Sequence, residues 1–189
     1  QLLYGMVVDN YTIIEDKIKR NEVLGDILEE YNVPANLIHQ VSQLSRQIFD
    51  VRKIAPNKKY TLLCDQQDSL KTARVLVYEP NQIDYIVFRF EDTLWVDVCK
   101  RDVVILEKSI AGEIRSNLSQ TIEELGISHE LTNRFVDIFG WQVDFQRLQK
   151  GDKFKLIYEE AQVEGVSVGI KQINGIYFEH YGSPYYAIP

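Results

Sequence analysis

The chain has 189 residues, of which 45% are hydrophobic and 26% are charged, and its formal net charge is −7 at pH 7. This composition is typical of a globular protein, and the length allows one large domain or two small ones. The acidic excess argues against a phosphate-binding surface, because nucleic-acid-binding proteins neutralise phosphates with clustered Lys and Arg. We therefore expect no nucleic-acid partner.

No apolar run approaches the roughly 18 residues needed to cross a bilayer, so the sequence predicts a chain that does not span a membrane. The opening QLLYGMVVDN has no basic region followed by an apolar one, so either the protein is cytoplasmic or an export signal has been removed. Cys64 and Cys99 lie in strand-like runs without the close spacing of metal or redox sites. Two free thiols and a disulfide both remain open.

A helical hairpin is predicted between two strands in the first third of the chain. The runs NYTIIED and KYTLLC alternate as strands do, and apolar residues between them recur at helical spacing. Asn21 is a suitable N-cap for the first helix, Asn32 suits the left-handed position after it, and Pro34 starts the second helix. The apolar positions are Leu24, Ile27, Leu28 and Tyr31, then Leu37, Val41, Leu44 and Ile48.

Four short runs rich in β-branched and aromatic residues follow, ARVLVYEP, DYIVFRF, TLWVDVC and VVILEKSI. They are separated by polar turns, so they predict an antiparallel meander. The polar stretch before them, Asp65 to Ala73, lacks apolar periodicity and is interpreted as a domain boundary.

A second helical hairpin is predicted after the meander. Ser116 precedes its first helix, Gly126 takes the left-handed position, and Ser128 starts its second helix. The apolar positions are Leu118, Ile122 and Leu125, then Leu131, Phe135 and Ile138. The strand KFKLIY follows, then a hairpin about VEG, and SPYYAIP as a last strand.

The two hairpins form an internal repeat. Asp50 and Asp144 are 144 − 50 = 94 positions apart, and the same offset pairs Lys59 with Lys153 and Tyr60 with Phe154. About forty residues align without a gap, with apolar positions on apolar positions, which chance rarely sustains. The repeat predicts the same helix-helix-strand unit at 21–63 and 115–157.

These segments resemble a known family. The order of elements resembles the LysM module: a strand, a helix ending in YNV or LGI, a second helix, and a strand that follows a Leu-x-x-Gly-Asp phrase, as in LQKGDKFKLIY. The whole chain, including IKRNEVLGDILEEYNV and INGIYFEHYGSPYYAIP, is similar to the opacity-associated protein A-like and LysM-like region that precedes the catalytic domain of LytM-type (lysostaphin-like) zinc metallopeptidases of Gram-negative envelopes. The resemblance implies an exported, periplasmic protein of the cell envelope.

The zinc ligands of that family are missing. The family holds zinc with a His-x(3)-Asp phrase and a His-x-His phrase, whereas His39, His129 and His180 have no such spacing. A catalytic zinc needs three protein ligands and an open position. We therefore expect no catalytic residue and no cofactor in this chain, with zinc confined to a catalytic domain absent from the sequence, and the question of enzymatic activity stays open.

The predicted fold class is α+β, with two LysM-like helix-helix-strand repeats, the second embedded in an antiparallel β-rich domain. Residues 1–68 are predicted to form a LysM-like domain, and 69–189 a β-rich domain that contains the second repeat and leads into the absent catalytic domain. The resemblance implies that the region targets peptidoglycan, covers the active site of the same polypeptide, or does both. A structural spacer or a protein-interaction and dimerisation module without glycan binding remains the alternative.

Glycan recognition would use the loop after the first strand and the loop before the second strand of each repeat. The candidate residues are Asn21, Asp50 and Arg52 in the first repeat and Asn117, Trp141, Asp144, Gln146 and Arg147 in the second. Trp141 beside Gln146 and Arg147 favours the second repeat, because an aromatic ring can stack on a sugar whose hydroxyls bind the polar groups. The alternative roles are that Asp50 and Asp144 bond loop amides and that Trp141 fills the core.

Overall fold

A computed structural model describes residues 1–44, 46–126, 128–140, 143–144 and 147–188. The chain forms two compact units: residues 1–101 are the first unit, and residues 102–189 are the second unit. The chain is mixed α and β with antiparallel strand pairs, as the predicted α+β class requires. No helix in the described ranges is long and apolar enough to cross a bilayer.

The first unit is an antiparallel sheet with a helical hairpin inserted after its first strand. Its elements are β1 (Leu2–Leu3), β2 (Met6–Val7), β3 (Tyr11–Lys17), α1 (Leu24–Glu30), α2 (Ala35–Ser42), β4 (Lys59–Asp65), β5 (Ala73–Glu79), β6 (Asp84–Phe90) and β7 (Leu94–Lys100). The five strands from β3 to β7 pair in chain order, and β1 and β2 form a separate hairpin.

The second unit begins with a strand, two helices and a strand, the same order as β3, α1, α2 and β4 in the first unit. Its elements are β8 (Val104–Glu113), α3 (Leu118–Glu124), α4 (His129–Phe139), β9 (Lys153–Val163), β10 (Val166–His180) and β11 (Ser183–Ala187). The sheet order is β11-β10-β9-β8. The predicted hairpin about VEG and the predicted last strand are present, and Glu164 and Gly165 form the turn with φ of 51° and 80°.

The strand pairing corrects two of the sequence predictions, one about a domain boundary and one about the meander. The proposed boundary between residues 68 and 69 falls between β4 and β5. These two strands are hydrogen-bonded neighbours in one sheet, and their residue pairs run from Lys59–Glu79 to Cys64–Ala73. The division lies instead between Arg101 and Asp102. The run VVILEKSI does not complete a four-stranded meander with β7, because it forms β8 and pairs with β9.

The sheet of the first unit buries apolar side chains on both faces. One face packs against α1 and α2 through residues such as Leu62, Leu76 and Phe88. The other face is partly covered by the β1–β2 hairpin, which packs on a smaller cluster that includes Leu63 and Val77. The cysteines are free thiols on opposite faces, since Cys64 lies in the helix-side core and Cys99 packs on the hairpin-side cluster.

Most equivalent elements of the two units are separated by the same number of positions along the chain, but the first strands are not. The helices and the strands β4 and β9 begin 94 positions apart, as predicted. The first strands differ, because Lys17 pairs with Lys59 whereas Glu113 pairs with Lys153, so they are offset by 113 − 17 = 96. The strand-to-helix loop is therefore two residues shorter in the second unit.

The helix ends match the sequence prediction in part. Asn32 and Gly126 adopt the predicted left-handed conformation, with φ of 55° and 75°. The N-cap of α1 is Val23 rather than Asn21, and that of α3 is Asn117 rather than Ser116. Helix α2 ends at Ser42, so the predicted helical positions Leu44 and Ile48 lie beyond it.

Candidate functional site

The two predicted glycan-contacting loops lie side by side in the first unit. The backbone N–H of Ile18 donates to Lys58 O at 2.9 Å, and Asn57 N–H donates to Ile18 O at 2.8 Å. The second loop also carries Asp50 and Arg52, which form a two-armed ion pair at 2.8 and 2.7 Å. The side chain of Arg52 is 61% exposed and that of Asp50 is 15% exposed. The guanidinium therefore lies at the surface on a fixed carboxylate.

Asp50 has a structural role as well. Its carboxylate accepts the backbone N–H of Arg52 at 3.2 Å, which caps the 3₁₀ turn Val51–Lys53. The hydrogen bonds from the Arg52 side chain hold the pKa of Asp50 well below its usual range. The carboxylate is thus charged throughout the physiological range, and the predicted loop-amide bond of Asp50 is present.

Asn21 lies in the longer strand-to-helix loop of the first unit. It is exposed and adopts a left-handed conformation with φ of 65°. Asn is among the few residues that tolerate this conformation, so its identity here is explained by the backbone. The helix start is fixed without it, because Asp26 accepts the backbone N–H of Val23 at 3.2 Å.

The second unit joins its two loops with the same backbone pattern. Ile114 N–H donates to Asp152 O at 2.7 Å, and Gly151 N–H donates to Ile114 O at 2.9 Å. The candidate residue Asn117 is occupied as a helix cap, since its side-chain oxygen accepts the Gln120 N–H at 2.8 Å. Its amide nitrogen is the group left to contact a ligand.

The helix-to-strand loop of the second unit carries an exposed ion pair. Arg147 Nε lies 3.3 Å from the Asp144 carboxylate, with side chains 78% and 56% exposed. The other two candidates of this loop, Trp141 and Gln146, lie outside the described residues. The structure thus places one Asp–Arg pair on the equivalent loop of each unit.

A buried Asp–His pair at the base of this loop was not foreseen from the sequence. His180 Nδ1 lies 2.7 Å from Asp152 Oδ2, and both side chains are at least nine-tenths buried. Asp152 also accepts the backbone N–H groups of Gln149 and Tyr181, at 2.8 and 3.2 Å. Burial alone would raise the pKa of Asp152, but these hydrogen bonds outweigh it and hold the pKa below its usual value.

The histidines do not fit a catalytic zinc. His180 is engaged by Asp152, while His39 and His129 are exposed on α2 and α4. Within the described part of the chain, no three His, Cys, Asp or Glu side chains are grouped so that they could hold a metal ion. Zinc-dependent hydrolysis needs three such ligands. These residues therefore support no catalytic step.

Comparison with known families decides the relationship of the second unit. Residues 102–189 match the family described as the Csd3 second domain. The second unit belongs to this family. The boundaries of the Csd3 second domain coincide with those of the compact unit found in the structure.

Curated relatives extend the relationship. The chain is 30% identical over 105 residues to the peptidoglycan DD-endopeptidase ShyC of Vibrio cholerae, covering 55% of this chain and 24% of that protein. It is 22% identical over 177 residues to a metalloprotease of Haemophilus influenzae, covering 93% of this chain and 37% of that one. The predicted resemblance to the non-catalytic N-terminal region of LytM-type peptidases is confirmed.

A solved structure supports the fold over both units. Helicobacter pylori Csd3 covers 93% of this chain with a TM-score of 0.66 at 19% identity, and the match covers 47% of that chain. The chain thus spans between about a quarter and a half of the length of these relatives.

Proposed function

We propose that this chain is the non-catalytic region of a cell-wall zinc metalloendopeptidase of the periplasm, and that it targets the enzyme to peptidoglycan. Its two units act as LysM-like modules through their paired loops. The proposal is supported by a relative named as a peptidoglycan endopeptidase and by membership of the second unit in the Csd3 second-domain family.

The observation that carries the proposal is the repeated loop arrangement. In each unit, backbone hydrogen bonds hold the strand-to-helix loop against the helix-to-strand loop. Each second loop presents an Asp–Arg pair, Asp50 with Arg52 and Asp144 with Arg147. Arg donors beside carboxylate acceptors suit the hydroxyl and amide groups of a glycan strand, which offer both acceptors and donors.

Covering of an active site is the second part of the proposed role. A polypeptide that blocks a zinc cleft needs a carboxylate or imidazole that can reach the metal. Among imidazoles, the exposed candidates on helices are His39 on α2 and His129 at the start of α4. Substituting each with Ala in the full-length enzyme should raise basal peptidase activity if that residue occupies the cleft.

Sedimentation with intact sacculi tests the targeting role. Wild-type chain should pellet weakly, because a shallow site seldom gives better than roughly micromolar to millimolar affinity and retention depends on avidity. Trp141→Ala should pellet less than Arg52→Ala, since the second unit is proposed to bind more strongly. Each variant is first checked for folding by circular dichroism. Equal pelleting of all three proteins, or none by any, would contradict glycan binding through Trp141.

An interaction module is the second candidate, and an exposed apolar run favours it. Val103 to Leu106, at the start of strand β8, are between 39% and 55% exposed. Strand β8 lies at the end of its sheet order, where its outer backbone groups are not paired in that sheet. Light scattering over a range of concentrations tests this role, and a dimer that is lost in Val104→Lys would favour it.

A further inference from the structure

The sheet face of the first unit that carries the β1–β2 hairpin is only partly covered. One row of side chains crosses this face, because Leu63 pairs with Val75, Val75 with Arg89 and Arg89 with Trp95. Four strands at about 4.8 Å spacing make this row roughly 14 Å long. Leu63 and Val75 are buried under the hairpin, whereas Trp95 is 62% exposed on strand β7.

A cleft lies along this row. It has a volume of about 590 Å³, which falls within the range of small-molecule sites, about 300 to 1,000 Å³. Leu63 and Val75 form its apolar floor, Met6 of the hairpin lines one side, and Arg89 lines the side that leads to Trp95. Trp95 does not line the cleft itself but is the cross-strand partner of Arg89, so it lies next to this side of the cleft. We call the cleft together with Trp95 the Trp95 trough.

The charges that line the cleft are nearly balanced. Arg74 and Arg89 face three carboxylates, those of Asp65, Glu91 and Asp92. Arg74 lies 3.8 Å from Asp65, and Arg89 donates to Asp97 on the neighbouring strand. A polyanion would need a surplus of positive charge, which this cleft lacks. Paired donors and acceptors instead suit a neutral ligand that is rich in hydroxyl groups.

The exposed indole narrows the ligand class. A Trp ring is large and mainly apolar, and Trp is enriched where proteins meet partners. One face of a pyranose consists of C–H groups that carry partial positive charge, and these pack on the negative face of an aromatic ring. The indole of Trp95 offers such a face next to the guanidinium of Arg89.

We infer that the Trp95 trough is a binding site for a neutral oligosaccharide, with the ring of Trp95 stacking on one sugar and Arg89 donating to hydroxyl or amide oxygens. This site lies on the sheet and is separate from the paired loops of the first unit. The inference rests on the proposed glycan-targeting function, and it adds a second contact that lengthens the stretch of glycan held by the first unit.

The two tryptophans of the sequence allow the sites to be tested separately, because Trp95 belongs to the trough and Trp141 is the glycan contact predicted from the sequence for the second repeat. Trp141→Phe leaves Trp95 as the single indole, and Trp95→Phe leaves Trp141. Each variant is titrated with the soluble β-1,4-linked N-acetylglucosamine tetramer, and the indole N–H resonance is followed by NMR. The Trp95 resonance should shift and saturate, and Arg89→Ala should weaken this binding about tenfold.

Val98→Ala is the matched control. Val98 is 53% exposed on the same strand as Trp95, but it points to the opposite face because side chains alternate along a strand. This variant should bind the tetramer as the wild type does. Circular dichroism of Trp95→Ala and Val98→Ala checks that both fold, which is expected for exposed positions.

The outcomes separate this inference from the proposed function. If the Trp141 resonance moves and that of Trp95 does not, the trough is wrong and loop binding stands. If neither moves and wild-type chain fails to pellet with sacculi, both are wrong. If neither resonance moves but sacculi retain the wild type, the two alanine variants decide. Equal retention of Trp95→Ala and Val98→Ala by sacculi overturns the trough. Loss of retention in Trp95→Ala alone supports it. A Trp95 shift that depends only on protein concentration indicates self-association and also overturns it.

Discussion

Position 112 in strand β8 requires glycine because a neighbouring aromatic ring leaves no room for a side chain. A Cβ at this position would lie 2.7 and 2.8 Å from the ring carbons of Phe154 and 3.1 Å from Leu125. Phe154 is itself buried and packs 6.1 Å, centroid to centroid, from Phe135. Gly112→Ala should therefore lower the free energy of unfolding by about 1 to 3 kcal/mol, measured by urea denaturation.

Gly175 in strand β10 supplies the control for this substitution. A Cβ there would meet no atom within 4 Å, so Gly175→Ala should leave stability unchanged or raise it slightly. Similar losses in both variants would show that strand glycines are required for their backbone and would refute the steric explanation.

The Asp152–His180 pair predicts a pH dependence of stability. The pKa of Asp152 is lowered in the folded state, so the unfolded chain binds more protons below about pH 4 and the stabilisation is lost as the pH falls through the folded pKa. Asp152→Asn should cost about 1 to 3 kcal/mol at pH 7, and the difference from wild type should shrink at pH 3. Unfolding in urea at both values measures this, with the exposed Asp137→Asn as a control. A difference that stays constant with pH would contradict the role of the charge.

At the scale of elements, the β1–β2 hairpin is fastened to the sheet by Tyr4. Its hydroxyl donates to Glu79 at 2.5 Å and lies 3.0 Å from the Thr61 hydroxyl. Glu79 in turn accepts from Arg101 at 2.6 Å, and the guanidinium lies over the Tyr4 ring at 5.5 Å. Losing the hydroxyl would leave the carboxylate of Glu79, whose side chain is only 12% exposed, with one donor fewer.

Tyr4→Phe should therefore destabilise the first unit by about 1 to 2 kcal/mol and speed hydrogen exchange of the backbone amides in residues 1–8. Hydrogen exchange with mass spectrometry measures the local effect. Tyr186→Phe, at a ring that is 69% exposed on β11, should change neither quantity. Unchanged exchange in Tyr4→Phe would show that apolar packing alone holds the hairpin.

The helical hairpins were predictable because their signals are local. Helical spacing of apolar residues and the left-handed positions Asn32 and Gly126 depend on a few neighbouring residues. Strand partners were not predictable in the same way, because β8 reads as another meander strand until its long-range pairing with β9 is known. The buried Asp152–His180 pair was missed for the same reason, since 28 positions separate its members.

The mistaken boundary has a specific physical origin. The polar stretch between β4 and β5 was interpreted as a linker, but its side chains serve the turn itself. Asp68 accepts the backbone N–H groups of Leu70 and Thr72, at 2.9 and 3.2 Å. The polar side chains there stabilise a tight turn within one sheet. Sequence alone does not distinguish such a turn from a junction between domains.

At the scale of the whole molecule, each compact unit should fold alone. Fragments 1–101 and 102–189 should each unfold cooperatively, since each contains its own apolar core. Fragment 1–68 should not, because it lacks strands β5 to β7 and with them buried residues such as Leu76 and Phe88. Thermal melts by circular dichroism test this, and a cooperative melt of fragment 1–68 would restore the boundary that the sequence suggested.

The purified chain should not hydrolyse sacculi, with or without added zinc, because its described histidines are dispersed or engaged elsewhere. Release of soluble muropeptides from labelled sacculi is the measurement, with a chelator-treated sample as control. Zinc-dependent turnover that persists after further purification would contradict the non-catalytic assignment.

The arrangement of turns in the second unit also constrains the order of events during folding. Tyr181 and Gly182, with φ of 52° and 75°, join β10 to β11 as a two-residue turn, just as Glu164 and Gly165 join β9 to β10. Such hairpins close within microseconds. Pairing of β8 with β9 must instead close a loop of about forty residues that contains both helices, which costs more chain entropy. We therefore expect the three C-terminal strands to nucleate the unit and the docking of β8 to limit its folding rate.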